Sequence, residues 1–401
     1  MLPKKQRPKS RNSGPGCNSK MAEYTRDDEL FASLALIKSK GMGPRTWKKI
    51  LDSYQTPAHA IASSKKWKGA GLVRINQAEA FDSRSWESQV LAEIKTIHDK
   101  SYDYILWSDP EYPEKLKQIS DPPLLLYYRG DISLLKNYGL AVVGSRQSSG
   151  YGQEMASTIC RKISCFGITI ISGFAYGIDR QAHMASVDNS GSTIAVLGTG
   201  IDLIYPGMNK DLWIKVADKG LIITEFFPGT KPDARNFPYR NRIISGLSLG
   251  VLVIQSAIKS GSMITATLAL EQNKEVFAVP GAVTMENYDG CNYLIKQGAH
   301  LVQGPDDIME ILAPLVKVSE KNQVSLQEND KTEVSPVKIP EGLTPDEMLL
   351  LEKLKSKEQV HIDELTNELD WSSQKVSQML VVLEIKGLVK RKPGMYYSIK
   401  R

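Results

Sequence analysis

Cysteine is scarce in this chain of 401 residues: Cys17, Cys160, Cys165 and Cys291 are the full set. No two of them form a C-x-x-C pair, which argues against a zinc module or a disulfide framework and fits a reducing compartment. Long apolar runs are missing as well. A segment such as Gly250–Ile254 is far too short to span a bilayer. The first 20 residues carry positive charge but no apolar segment, so they do not read as a secretory signal, and a cytoplasmic protein is expected. No G-x-G-x-x-G follows the first strand of the central region, and no acid ends the second, which stops at Ser172. No Gly-Lys-Ser/Thr is present there either, so a nicotinamide enzyme and a Walker ATPase are both disfavoured.

What is present is ordinary globular material, 41% hydrophobic and 24% charged, in a length that suits two or three domains. The net charge of +6 is unevenly placed. Lys4, Lys5, Arg7, Lys9, Arg11 and Lys20 stand in a leader without an acid, and the remainder balances 45 bases against 45 acids. Any basic site in the body must therefore be a local cluster.

Five regions are expected. Residues 1–28 read as a disordered basic tail, either a phosphate-binding arm or a plain solvated terminus. Residues 29–125 read as a small helical domain. There, runs around Leu30, Leu34 and Ile37, and around Trp47, Ile50 and Leu51, flank Lys40-Gly41-Met42-Gly43-Pro44-Arg45. That turn suits a helix-hairpin-helix with a phosphate-binding helix start, or equally a plain helical hairpin with Pro44 at the first helical position. Residues 126–315 alternate short β-rich runs with helical ones, which implies right-handed crossovers and a mostly parallel, Rossmann-like α/β sheet. Residues 316–342 read as a flexible linker. Residues 343–401 read as three helices and a hairpin, a winged helix, opened by the capping box Thr344-x-x-Glu347 with Met348, Leu351 and Leu354 on one helical face.

Binding residues in such a sheet follow the strands. After the first comes Gly144-Ser145-Arg146-Gln147-Ser148-Ser149-Gly150, where glycines allow close approach to a phosphate and Arg146 offers a bidentate fork. After the second comes Ser172-Gly173-Phe174-Ala175-Tyr176-Gly177-Ile178-Asp179. Asp179 and His183 share a helical face there, but bracing and packing explain them better than acid–base catalysis. After the third comes Gly198-Thr199-Gly200, then Tyr205-Pro206. After the fourth, Arg235-Asn236-Phe237-Pro238-Tyr239-Arg240-Asn241-Arg242 is the densest polar–aromatic cluster, the combination a single strand needs. The plain alternative makes Phe237 and Tyr239 core and the arginines ion-paired, most pressingly Arg240 and Arg242 inside a helix start. After the fifth, Lys259-Ser260-Gly261-Ser262 enters a helix as a second phosphate cradle.

Taken together, Val143-Gly144-Ser145-Arg146, Ser172-Gly173-x-Ala175-x-Gly177-Ile178-Asp179, Phe237-Pro238-x-Arg240-Asn241-Arg242-Ile243-Ile244-x-Gly246-Leu247-Ser248, Ser260-Gly261-Ser262-x-Ile264-Thr265-Ala266 and Val279-Pro280-Gly281 resemble the DNA-processing protein family DprA, also called Smf. The tripartite layout, with a sterile-alpha-motif-like N-terminal domain, resembles it too. The resemblance implies a non-enzymatic protein without cofactor or metal. It would bind and protect single-stranded DNA entering the cell in natural transformation, and help load the recombinase RecA in homologous recombination. It would form a homodimer through the Rossmann-like domain. By motif, Arg146 and Lys259 would contact phosphates and Phe237 a base. Gly144, Ser145, Ser172, Gly173, Arg240, Asn241, Arg242, Ser260, Gly261 and Ser262 would line the pocket, and Ile264 and Leu268 would face the dimer partner. Ile264 and Leu268 are equally good core residues. The basic leader departs from the family pattern, and Asp233-Ala234-Arg235 is less basic than a DNA path suggests, though Lys231 and Arg235 could substitute.

The rival is a nucleotide phosphoribohydrolase of the lysine-decarboxylase-like type, motivated by Gly261-Ser262-x-x-Thr265 and Glu271. A transcription regulator acting through the winged helix ranks last. In the winged helix, Gln374, Lys375 and Gln378, with Lys390, Arg391 and Lys392 on the wing, suit an auxiliary DNA or partner contact, or a solvated face.

Overall fold

The computed structural model describes residues 24–316, 344–355, 360–369, 371–385, 388–392 and 396–399. The basic leader up to residue 23, nearly all of the expected linker, Gly387 and the hairpin residues Pro393 and Gly394 lie outside the described residues. The chain divides into two units, Met1–Lys317 and Val318–Arg401.

The first unit opens with five helices: α1 (Arg26–Lys38), α2 (Pro44–Tyr54), α3 (Pro57–Ala62), α4 (Ile75–Asp82) and α5 (Glu87–Lys100). The expected tail runs too far, because α1 starts at Arg26. Thr25 is its N-cap, its hydroxyl accepting from Asp28 N (3.2 Å) while Asp28 Oδ2 accepts from Thr25 N (2.9 Å). The two reciprocal bonds satisfy donors that an uncapped start would leave to water. Between α1 and α2, Gly41 takes a positive φ of 79° and Pro44 opens the second helix.

Then follow β1 (Asp103–Leu106), α6 (Glu114–Lys117), β2 (Leu125–Gly130), β3 (Gly139–Gly144), α7 (Gly150–Cys165), β4 (Thr169–Ser172), α8 (Ile178–Ser186), β5 (Thr193–Val196), α9 (Lys210–Lys219), β6 (Leu221–Thr224), α10 (Asn236–Gly246), β7 (Gly250–Ile254), α11 (Gly261–Glu271), β8 (Glu275–Ala278), α12 (Asp289–Lys296), β9 (His300–Leu301) and α13 (Pro305–Leu312). The strands form one sheet in the order β1-β2-β6-β5-β4-β3-β7-β8-β9. From β6 to β9 the pairs are parallel, and β2 and β1 add an antiparallel edge. The chain leaves β3 toward β4, then returns to lay β7 on the other side of β3. The crevice beyond the carboxyl ends of β3 and β7 is thus the switch point where ligands bind in open α/β sheets.

Alternation along β3 feeds two cores. Leu140 and Val142 join a cluster with Ile159, Ile163 and Leu252, while Ala141 and Val143 join one with Val251, Val253 and Ile244. That second cluster continues into the helices, to Leu30, Leu34, Trp67 and Phe81. A border at residue 125 therefore needs correcting. β1 lies inside the stretch expected to be helical, yet it pairs with β2 through Leu106↔Leu125. Side chains bind the two parts as well: Tyr127 donates to Glu93 Oε1 (2.8 Å), and Lys38 Nζ sits 3.5 Å from the Phe227 ring centroid.

The second unit is a winged helix. Helices Pro345–Lys355, Ile362–Leu369 and Ser373–Ile385 pack on a sheet ordered β10 (Val360–His361), β12 (Tyr396–Ile399), β11 (Val389–Lys392). The Thr344–Glu347 capping box forms, at 2.7 and 3.3 Å. Leu351 and Leu354 enter the core, but Met348, expected beside them, is exposed, and Leu350 takes its place. Gln374 and Gln378 face solvent. Lys375 reaches Asp346 (2.8 Å) and covers the Trp371 ring. The side chains of Lys390, Arg391 and Lys392 lie outside the described ones.

Candidate nucleic-acid interface

A cleft of about 800 Å³ opens at the switch point. Its walls come from the loop after β3 (Gly144, Ser145, Arg146), the start of α10 (Phe237, Arg240, Asn241) and the start of α11 (Ser260, Gly261, Ser262).

Close backbone approach builds the floor. A Cβ on Gly144 would stand 2.2 Å from Ile254 O and 2.6 Å from the Ile178 side chain. Gly177, with φ of 71°, would bring one within 2.2 Å of Ser145 O. With only hydrogens there, Ser145 N donates to Gln255 O (2.8 Å) and Ile178 N donates to Ser145 O (3.1 Å). Ser149 caps α7, accepting from Gly152 N (3.2 Å), and its own N–H donates to Gln255 Oε1 (2.8 Å). Ser260 caps α11, accepting from Met263 N (3.4 Å), and its hydroxyl shares a 2.7 Å bond with Ser256. The start of α11 at the cleft wall carries the partial positive charge of a helix N-terminus.

Arg146 is exposed at the mouth, its guanidinium 5.4 Å from the Phe237 ring centroid. Phe237 is half-buried, and Tyr205 stacks on it with centroids 5.8 Å apart. Tyr205 also lines the cleft, and sequence reasoning gave it no role. The available signal was an aromatic residue in a post-strand loop, which by itself does not separate core from surface.

Arg240 lines the cleft yet is almost wholly buried. It donates to Gly173 O (2.6 Å) and to Val196 O, and burial lowers its pKa to about 10. Asp179 is the one carboxylate among the described cleft residues. It accepts from Gly173 N (3.1 Å) and Ala175 N (3.4 Å), which braces that loop. Burial raises its pKa, against the opposing pull of Arg240 and the two N–H groups. His183 is fully buried, hydrogen-bonded through Nδ1 to Thr193 Oγ1 (2.7 Å), and pushed down to about 3 by burial and then by the charge of Arg240.

Other expected site residues stand elsewhere. Ser172 is fully buried and donates to Val142 O (2.6 Å), tying β4 to β3. Gly173 lies beneath Arg240, whose guanidinium nitrogens would be 2.6 and 2.7 Å from a Cβ placed there. Arg242 does not face the cleft. It is 2% exposed, paired with both oxygens of Glu225 (2.5 and 2.7 Å), and its Nε donates to Asp121 O (2.8 Å). A buried carboxylate claims it, so the ion-pair alternative holds at that position. Lys259 is exposed beside the cleft rather than in it. It lines an adjoining hollow of about 460 Å³ that shares Ser260, Gly261 and Ile264 with the cleft. Ile264 is exposed and Leu268 half-buried on α11. Arg235 turns to its neighbour Asp233 (2.9 Å). Glu271, the acid of the phosphoribohydrolase reading, is exposed at the last residue of α11, ten positions from the glycine at its start, and does not line the cleft. Among the described residues no cluster of His, Cys, Asp and Glu could hold a metal ion.

Residues 103–313 match the model of DNA recombination-mediator protein A, and residues 335–395 match the DprA winged helix domain. The chain belongs to the DprA/Smf family. It is 32% identical to protein Smf of Synechocystis sp. over 396 residues, covering 91% of this chain and 97% of that one. It is 44% identical to the DNA processing protein DprA of Bacillus subtilis over 261 residues, covering 65% and 86%. The crystal structure of DprA from Streptococcus pneumoniae superposes with a TM-score of 0.63 at 34% identity, over 70% of this chain and 97% of that one. The DprA/Smf match spans the sheet, the cleft and the winged helix.

Proposed function

We propose that this DprA/Smf protein binds single-stranded DNA in the cleft, without sequence preference and without chemical conversion of the strand. The observation that carries the reading is the Arg146 guanidinium set over the Phe237 ring, on which Tyr205 stacks, at the mouth of a glycine-floored cleft walled by the start of α11. A cation for the phosphate and rings for an unpaired base are what sequence-tolerant single-strand binding requires. Lys259, in the adjoining hollow, extends the cationic path past Ser260 and Gly261. Asp179, the one carboxylate among the described cleft residues, accepts from two backbone N–H groups and so braces the loop after β4.

Within a cell the strand would be DNA entering in natural transformation, protected and then passed to RecA. Membership of a recombination-mediator family supports this part. A homodimer joined through the exposed α11 residue Ile264 and its neighbour Leu268 belongs to the same proposal, as do a cytoplasmic location and an auxiliary role for the winged helix. No described helix is long and apolar enough to cross a membrane.

The test is a salt titration of binding to single- and double-stranded oligonucleotides of equal length. Wild type should prefer the single strand and weaken steeply with salt, and replacing Arg146 and Lys259 together by Ala should flatten the slope by about 1.4, or about 0.7 per lost phosphate contact. A double variant that binds like wild type at every salt concentration would sink the site assignment.

A further inference from the structure

Charge in the folded body is balanced in sum but not in place. Between residues 39 and 78, eight bases stand against one acid, Asp52. Lys48 pairs with that acid across one turn of α2. The other seven cations are exposed and have no ion-pair partner among the described residues. Lys40, Arg45 and Lys49 surround the turn from α1 into α2, and Lys65, Lys66, Lys68 and Arg74 lie on the connection from α3 into α4. Gln77 joins the two groups: its Nε2 donates to Gly41 O (2.7 Å), and its Oε1 accepts from Arg74 N (2.8 Å). The acids of this helical region stand elsewhere, on α1, α4 and α5. Aromatic rings are withdrawn from the surface. Trp47 and Trp67 are buried, their indole N–H groups donating to Leu36 O and Ala60 O (both 3.1 Å), and Tyr54 packs on the core.

We propose that this basic surface binds the sugar–phosphate backbone of duplex DNA, as a nucleic-acid site separate from the cleft. Like charges gathered without acids repel one another, and a polyanion relieves that repulsion. An unpaired strand is held by cations interleaved with rings on which its bases stack. Here there are cations and no exposed ring, which suits a ligand recognised through phosphate alone. A duplex is such a ligand, because its bases are stacked inward and it presents one charge per about 1.7 Å of axis. Contacts of this kind position a protein on DNA and carry no sequence information. None of the seven cations lines the cleft, so the two surfaces can fail independently.

The experiment titrates the full chain with a blunt duplex, with a single strand of the same length and with polyglutamate, by fluorescence anisotropy at several salt concentrations. Wild type should bind the duplex with a steep salt slope. Replacing Lys40, Arg45, Lys49 and Arg74 together by Gln should make the duplex slope shallower by about 3.6, or about 0.9 per lost phosphate contact. Replacing Lys65, Lys66 and Lys68 by Gln should remove about 2.7 in the same way. Both variants should keep the single-strand affinity and the melting temperature of wild type, because the side chains changed are exposed and unpaired. A duplex slope that neither variant alters overturns the proposal. An equal loss for duplex and single strand also overturns it, since the cations would then extend the single-strand path. If wild type binds polyglutamate but not the duplex, and the variants lose that binding, the surface takes an acidic protein segment and the duplex assignment is wrong.

Discussion

Arg242 and Arg146 both come from the motifs expected to bind DNA, but one is buried and the other exposed, so one pair of measurements separates them. Arg242 is 2% exposed, and three of its nitrogens are bonded, two to Glu225 and one to Asp121 O. Tyr239 covers the guanidinium at 4.2 Å. Burial, the largest single influence, would lower its pKa, but the charge and hydrogen bonds of Glu225, with Tyr239 and Asp121, together hold it above the ordinary arginine range. Arg242→Met removes one partner and leaves the Glu225 carboxylate buried and unpaired. Breaking such a pair costs about 3–5 kcal/mol. For a unit of this size that lowers the melting temperature by on the order of 10 °C. Arg242→Met with Glu225→Met should recover much of the loss, since apolar groups of similar volume can replace a buried pair.

Arg146→Ala should do the reverse. The side chain is exposed, so stability should stay within about 0.5 kcal/mol. The salt slope of single-strand binding should fall by about 0.7 for the one phosphate lost. Thermal denaturation and salt-titrated anisotropy on both variants give a two-by-two result. An Arg242→Met protein that melts with wild type and loses one phosphate from its slope would refute the reasoning. The burial seen in the fold would then not describe the side chain that meets DNA.

Gly144→Ala places a Cβ 2.2 Å from Ile254 O, so calorimetry should show a loss of roughly 1–3 kcal/mol or more. Gly261→Ala meets no atom within 4 Å, so it should melt like wild type yet bind single strands more weakly, because the methyl stands at the helix start proposed to meet a phosphate. His183 is held near pKa 3 when folded, against an unfolded value of about 6.5. Only the unfolded chain gains this proton between those limits, so stability should fall as pH drops through that window, by about 1.4 kcal/mol per pH unit from this group. His183→Gln should remove that part of the slope in denaturation curves taken between pH 6.5 and 4, and an unchanged slope would place the acid sensitivity elsewhere.

The strand runs and the glycine loops between them were legible in the sequence because a parallel sheet buried on both faces needs continuous apolar segments, and these are short and plainly bounded. The capping box at Thr344 was legible for the same local reason, since both partners lie within one turn. What escaped were properties set by distant partners. β1 reads as part of a helical stretch until β2 supplies its hydrogen-bonded partner. Arg242 reads either as a pocket residue or as one half of an ion pair until Glu225, seventeen residues away, claims it. Lys259 sits one residue before a helix cap, and that local fact places it near the cleft but cannot say which side of Ser260 it faces.

The rings show the limit most clearly. Phe237 stands inside a dense motif and drew the base-stacking role, whereas Tyr205 stands in a loop between a strand and a helix and drew none. In the fold the two rings stack with centroids 5.8 Å apart, Tyr205 exposed and Phe237 half-buried. Phe237 is wedged against Gly198, a residue 39 positions earlier whose missing side chain makes room for the ring. The sequence contains both residues but not their meeting. A motif therefore marks where a chain is constrained, and the ring that completes the stack in this cleft lies outside the motif.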